Sequence, residues 1–225
     1  MSAGRGRGPD AFAGASNDGL ELVFQPATGE RWPDLEQVLG RRGGHNGCWC
    51  MRWRLNPAVF QQQRGEANRR ALRDGLAGGR ITGVLGYLED RPVSWCALGP
   101  REQFPVLQTS DLLAPVDDAP VWSVACCHLV RKCRGRGLAT AVVTGATRFA
   151  RDRGARLLEA YPLSPATERV PLAAAWTGFE SNFLRAGFTE AARRAPLRPV
   201  LRRALDADDR TVESEAYPKP CGGDG

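Results

Sequence analysis

The sequence predicts an α/β (α+β) domain, with a mixed central sheet of six to seven strands and helices on both faces. Three observations point to it. Val121–Val130 is an almost unbroken apolar run rich in β-formers, the pattern of a strand covered on both faces. Ile81–Leu88 and Pro92–Leu98 are two strand-like runs joined by Glu89-Asp90-Arg91, which reads as a hairpin. Leu138, Val142, Ala146 and Phe149 recur at helical spacing and are followed by Gly154, which marks an amphipathic helix and its end.

The remaining elements follow in chain order. Residues 1–19 are glycine-rich and small, and are expected to form a leader without order. Leu20–Gln25 alternates loosely as a first strand. Trp32–Leu39 is a short helix with Pro33 at its start and Gly40 after it. Gly43–Arg54 is a loop that gathers Cys48, Trp49, Cys50, Met51 and Trp53. Asn56 is a good N-cap and Pro57 a good first helical residue, so a helix is expected to run to Ala77 and stop at Gly78-Gly79. Val93, Trp95 and Ala97 alternate along the second arm of the hairpin. Gly99–Ala119 is a long proline-containing connection, and loops of that length are uncommon without a role. Beyond the central helix, Arg156–Ala160 is a strand, Tyr161–Ala175 a connection and Trp176–Ala186 a short helix ending at Gly187. Phe188–Arg193 and Pro199–Leu205 form a closing pair of strands. One domain over residues 20–205 is expected, followed by a loose tail, 206–225.

Composition narrows the function. The chain has 225 residues, a net charge of +6 and no apolar stretch long enough to span a bilayer. Its N-terminus lacks the apolar core of a secretion signal, so a cytoplasmic location is expected and no membrane partner. Seven cysteines, an odd number without an export signal, are expected to be reduced thiols. Cys126 and Cys127 read as small core residues. His45, Cys48 and Cys50 have no second matching pair, so no metal is expected. The basic charge suits an anionic ligand. The GRGRG leader carries two arginines only, and a nucleic-acid partner is not expected from it.

The sharpest signal lies between the central strand and the amphipathic helix. Arg134-Gly135-Arg136-Gly137-Leu138-Ala139 turns the chain with two glycines into a helix start. Glycine lets backbone approach a ligand closely, and the first helical turn leaves N–H groups without internal partners. Those donors, the helix dipole and two guanidinium groups all favour a di-anion. Neither G-x-x-x-x-G-K-[ST] nor G-x-G-x-x-G occurs near this turn.

Arg134-x-x-Gly137-x-Ala139 fits R/Q-x-x-G-x-G/A, and the chain thereby resembles the GNAT N-acetyltransferases, a likeness covering about residues 20–205. The resemblance implies a single GNAT-type domain that uses acetyl-CoA as co-substrate and acetylates an amine by direct attack, without an acyl-enzyme. It implies that backbone groups of Leu129 and Val130 pair with the pantetheine arm. The amides of Arg134, Gly135, Arg136, Gly137, Leu138, Ala139 and Thr140 would hold the pyrophosphate. Leu157-Leu158-Glu159-Ala160 is similar to the L-E-V of members that acetylate protein N-termini, which makes Glu159 the candidate base. An exposed glutamate, or one paired with a nearby arginine such as Arg156, is the alternative.

Many members carry a tyrosine that protonates the leaving thiolate, where this chain has Phe183; Tyr161 is the candidate substitute. A thiol with a pKa of about 8.5 is already a fair leaving group near neutral pH. His128, inside an apolar run, reads as a core histidine. The Cys48–Trp53 cluster either lines the acceptor pocket or fills core. The acceptor is a small-molecule or peptide amine, and a homodimer is open. A non-catalytic acyl-CoA-binding module and a nucleic-acid-binding protein are the rival functions.

Overall fold

In the computed structural model, residues 10–15, 20–164 and 176–206 are described. Among them eight strands form one sheet in the order β1-β2-β3-β4-β5-β6-β8-β7. The strands are β1 (Phe12–Ala15), β2 (Glu21–Pro26), β3 (Gly83–Leu88), β4 (Arg91–Pro100), β5 (Trp122–Leu129), β6 (Leu157–Ala160), β7 (Thr189–Ala195) and β8 (Arg198–Ala204). The helices are α1 (Trp32–Leu39), α2 (Pro57–Gln62), α3 (Glu66–Ala77), α4 (Pro105–Gln108), α5 (Leu138–Asp152) and α6 (Glu180–Arg185). β5 and β6 run parallel, and the other neighbours are antiparallel. None of the described helices is long and apolar enough to cross a membrane.

Both faces of the sheet are covered. On one, α5 lays Val142, Ala146 and Phe149 against Phe24, Cys96, Val124 and Leu158. The helical spacing seen in the sequence is therefore the buried stripe of α5. On the other, α1 and α3 cover Leu85, Tyr87 and Trp95 with Leu35 and Leu72. Further along that face, Phe104 and Leu107 cover Ala125, Tyr161 and Val200.

The eighth strand was not expected. Phe12–Ala15 lies inside the stretch read as a leader, yet it pairs with β2 at the sheet edge. Its Phe12 ring stacks on Phe24 at 5.5 Å, and Gly14 lets that ring sit close. With one large side chain the strand has no alternation to read.

Three other expectations are corrected. The helix expected from Asn56 to Ala77 is broken at Gly65, where φ is 87°, a value only glycine adopts without strain. The break is a tertiary contact: Gly65 N–H donates to the Gly47 carbonyl at 3.0 Å, and a Cβ on Gly47 would stand 2.6 Å from that nitrogen. The helix expected over Trp176–Ala186 is helical only at Glu180–Arg185. Ahead of it Gly178, at φ 83°, offers its carbonyl to Leu163 N–H as a strand would. The long connection after β4 is partly ordered as a 3-10 turn, Arg101–Gln103, and α4.

One irregularity sets up the functional site. Along β4 and β5, Ala97 faces Cys126 but Leu98 faces Val124, so Ala125 is an extra residue. Such a bulge bends its strand. β5 pairs with β6 only at Trp122, Ser123 and Val124, and past the bulge the two strands part.

Candidate active site

The cleft opens where β5 leaves β6. A cavity of about 970 Å³ occupies it, walled by Cys126–Leu129 of β5 and the start of α5. The 43–52 loop, the end of α2, Trp176, Gly178, Phe179 and part of α6 complete the walls. It runs from the phosphate-type turn on one side to the cysteine-rich loop on the other.

At the turn, Gly135 and Gly137 both have left-handed backbones, with φ of 74° and 68°. Gly137 is the N-cap of α5 and supplies no side-chain acceptor, and no acidic residue lies in the first turn. The leading N–H groups of a fifteen-residue helix are thus left to a ligand, with the positive end of its dipole. A Cβ at Gly135 would meet open space, so this glycine is required by conformation rather than by crowding. Arg134, Gly135, Gly137, Leu138 and Ala139 line the cavity, as does Leu129; Val130, Arg136 and Thr140 do not.

Two backbone groups expected to meet the pantetheine are already engaged. Arg134 Nε donates to the Leu129 carbonyl at 2.9 Å, and Val130 N–H donates to Val93 at 2.9 Å. The amide that faces the splay is that of Cys127, which donates to the Trp176 carbonyl at 2.9 Å. Thr140 instead joins Asn182 and Arg185, its hydroxyl 3.4 Å from each. Asn182 and Arg185 line the cavity and carried no sequence signal, because α6 reaches the α5 N-terminus only through the fold.

Glu159 and Tyr161 are placed away from the cavity. Both are fully buried and neither lines it. Glu159 Oε1 accepts from Arg101 Nη1 at 2.5 Å and from the Tyr161 hydroxyl at 2.6 Å, while Oε2 accepts from Arg202 Nε at 2.8 Å. Arg101 also donates to the Tyr161 oxygen and to the carbonyls of Leu107 and Leu113. Ser123 completes the cluster, 2.8 Å from the Tyr161 oxygen. Burial, then the Glu159 charge, pushes the Tyr161 phenol well above its usual range. A proton acceptor or donor has to reach the reacting atoms. These two groups instead pin the 101–113 segment to the sheet. Glu159 is thus paired with arginine, as the alternative reading had it, but with Arg101 and Arg202 rather than with Arg156.

His128 takes the opposite course. It is half-buried in the cavity wall, with Gly44 beneath its Nδ1. Burial, and then the Arg134 charge, lower its pKa to about 4, against a hydrogen bond to the Val38 backbone that raises it. At neutral pH the imidazole is uncharged and one nitrogen keeps its lone pair. The apolar run predicted a core residue; the bulge and the parting of β6 turn it into wall.

The Cys48–Trp53 cluster proves to be both wall and core. Cys48, Cys50 and Arg52 line the cavity, whereas Trp49 and Met51 are buried and Trp49 stacks on Trp32 at 5.8 Å. Cys50 and Cys126 share a hydrogen bond with sulfurs 3.4 Å apart, and Trp95 Nε1 donates to Cys50 Sγ at 3.2 Å. The Cys126 contact lowers the Cys50 pKa; Trp95 and Arg54 add to that effect and burial opposes it.

A parallel strand pair opened by a bulge, with an uncapped helix start at its mouth, is a fold-level signature, and comparison gives it a family. The family model described as acetyltransferase (GNAT) family matches residues 42–179, more than half of the chain. The chain belongs to the GNAT acetyltransferase family.

Solved structures agree on the fold. An insect protein named for arylalkylamine N-acetyltransferase 7, from the yellow fever mosquito, superposes with a TM-score of 0.52 at 12% identity, covering 92% of this chain and 99% of that one. A GNAT family acetyltransferase from Streptococcus agalactiae gives 0.51 at 14% identity, over 82% and 96%. One from Listeria monocytogenes gives 0.50 at 11% identity, over 86% and 100%. No curated protein matches the sequence. At such identities the likeness is one of fold alone.

Phe183 stands where the resemblance leads one to expect a tyrosine. Its ring is fully buried, meets Phe188 edge-on at 5.2 Å and lines the cavity. The cavity therefore has a hydrocarbon ring at that position.

Proposed function

We propose that this GNAT protein is an N-acetyltransferase that moves an acetyl group from acetyl-CoA to a primary amine by direct attack. One observation carries the reading. The uncapped start of α5, with Gly135 and Gly137 left-handed beside it, opens into the same cavity as the uncharged His128. A pyrophosphate fits the first, because unpartnered N–H groups and Arg134 supply positive potential. Gly135, Gly137, Leu138 and Ala139 would supply those contacts, with Arg185 beside them. Arg136 and Thr140, on the same turn, stand further from the cavity and would act from outside it.

In this reading His128, rather than Glu159, takes the proton from the attacking ammonium, directly or through one water. The neutral amine nitrogen then bonds to the acyl carbon, the C–S bond breaks with its electron pair staying on the coenzyme sulfur, and the second nitrogen proton passes to that thiolate or to water, which leaves the amide and the free thiol. No acid is required for that departure at neutral pH, which accommodates Phe183. The Trp176 segment lies where a pantetheine arm would run beside β5, so binding of the coenzyme would exchange the Cys127–Trp176 hydrogen bond for one to the ligand.

The test is twofold. Calorimetry with coenzyme A reads the first half, and release of free thiol from acetyl-CoA with a panel of amines reads the second. Binding without turnover by any amine would leave an acyl-CoA-binding module instead.

A further inference from the structure

On the acceptor side of the cavity two cations share one aromatic ring. The Phe60 ring of α2 is buried, and the guanidinium carbons of Arg52 and Arg64 lie 5.7 and 5.4 Å from its centre. Arg52, Phe60, Gln61 and Arg64 all line the cavity together with His45 of the facing loop. Neither arginine has a carboxylate partner among the described residues, and Arg52 Nη1 is shut off from water without any acceptor. Arg64 is exposed and Arg52 half-buried, so water screens the two charges from each other, while the orphaned Arg52 Nη1 still lacks the acceptor that an oxyanion in the cavity would bring. No aspartate or glutamate lines this cavity among the described residues.

We propose that the acceptor amine also carries an oxyanion, a carboxylate or a phosphate, which Arg52 and Arg64 hold while its amino group faces His128. The substrate class is then an amino acid, an acidic peptide or a phosphorylated amine, and not a polyamine or another polycation. Guanidinium forks suit such oxyanions by bidentate hydrogen bonding, and the Phe60 face keeps both forks pointed along the wall. Polycationic acceptors would bring further positive charge to a wall that has no carboxylate to receive it. Gln61 adds a neutral donor and acceptor at the same rim. This inference rests on the acyl-transfer reading for its chemistry, but the anion site itself is readable by binding alone.

The experiment uses the full chain and matched amines: an amino acid against its amide, phosphoethanolamine against ethanolamine, and spermidine. Thiol release should give the charged member of a pair a kcat/KM at least about tenfold above its neutral partner, with a KM that rises with added salt. The arm that wins, carboxylate or phosphate, identifies the source. Arg52→Gln and Arg64→Gln should each raise KM for that member by about tenfold, and the double variant should erase the preference. Calorimetry of the same amines on coenzyme-loaded protein separates the two readings. If no amine is acetylated yet the anionic member binds, and loses binding in the double variant, the anion site stands and the acyl-transfer reading falls. Spermidine or a neutral amine used as well as its anionic counterpart overturns the proposal. So does a preference that survives the double variant, or anionic amines that neither react nor bind. Circular dichroism of each variant checks that the fold is kept.

Discussion

Arg101 Nη1 stands 2.5 Å from Glu159 Oε1, and both side chains are all but closed to solvent. This pair, closed further by Arg202 and Tyr161, joins the end of β4 to β6 and β8 and roofs that part of the sheet with Phe104 and Leu107. A carboxylate so placed is a fastener of the fold.

Glu159→Gln should therefore act on stability rather than on turnover. Removing one charge from a buried pair leaves the other uncompensated, at a cost of about 3 kcal/mol or more. Chemical denaturation should show the loss. Folded protein assayed at low temperature should keep its acetyl transfer, and a hundredfold fall in kcat there would return Glu159 to the reacting centre.

His128 carries the pH dependence. Its folded pKa, about 4, lies below the ordinary value of 6.5, so between the two the unfolded chain binds the extra proton. The contribution of His128 to stability is present above pH 6.5 and is lost as pH falls toward 4. His128→Asn should flatten that part of the stability profile. The acidic limb of kcat should have its midpoint near 4, and His128→Ala should lower kcat by about a hundredfold. An acidic limb unchanged in His128→Ala would assign the proton to another group.

Gly137 is a conformational requirement. At φ 68° any other residue is strained by about 1–2 kcal/mol. Gly137→Glu adds a negative charge at the mouth of α5, where the dipole favours anions. Coenzyme A should bind to Gly137→Ala at least about tenfold more weakly than to the parent, as a shift of the α5 start by strain of that size predicts. Gly137→Glu should give no measurable heat. Full affinity in Gly137→Glu would remove this turn from the binding site.

Cys50 should be more reactive than its buried neighbours Cys96 and Cys126. Its pKa is lowered, chiefly by Cys126, whereas those of Cys96 and Cys126 are pushed well up by their sulfur hydrogen bonds and by burial. Since the thiolate is the nucleophile, iodoacetamide at neutral pH should label Cys50 ahead of Cys96 and Cys126. Peptide mapping by mass spectrometry reads the order, and an acceptor amine bound in the cavity should slow the labelling. Cys126 labelled first would contradict the arrangement.

Gly145 tests the packing of α5. Alanine there would gain about 1 kcal/mol of helix propensity. Its Cβ would stand 2.5 Å from the Phe24 ring, which is fully buried and boxed in by Gly14 and Gly86 as well. Overpacking costs about 1–3 kcal/mol, so the clash should win and Gly145→Ala should melt lower than the parent. A higher melting temperature would show that Phe24 has room to move.

Much of the architecture was legible in the residues because it is local. The apolar run of β5, the Glu89-Asp90 turn, the buried stripe of α5 and the glycines that open it all follow from periodicity and backbone preference over a few residues. The family resemblance rested on Arg134, Gly137 and Ala139, and at Gly135 and Gly137 the missing side chain admits the left-handed backbone that the turn adopts.

What the tertiary structure decided are matters of facing and partnership. A one-residue bulge at Ala125 reverses which side chains of β5 meet the cleft, and no local preference announces it. That bulge, with the early end of β6, makes His128 part of the cavity wall. Glu159 is drawn into an ion-pair cluster by Arg101 and Arg202, residues 58 and 43 positions away in the chain. Asn182 and Arg185 reach the cavity for the same reason. Backbone conformation is a property of neighbours in sequence, whereas a side chain's charge partners depend on distances that only the folded chain creates.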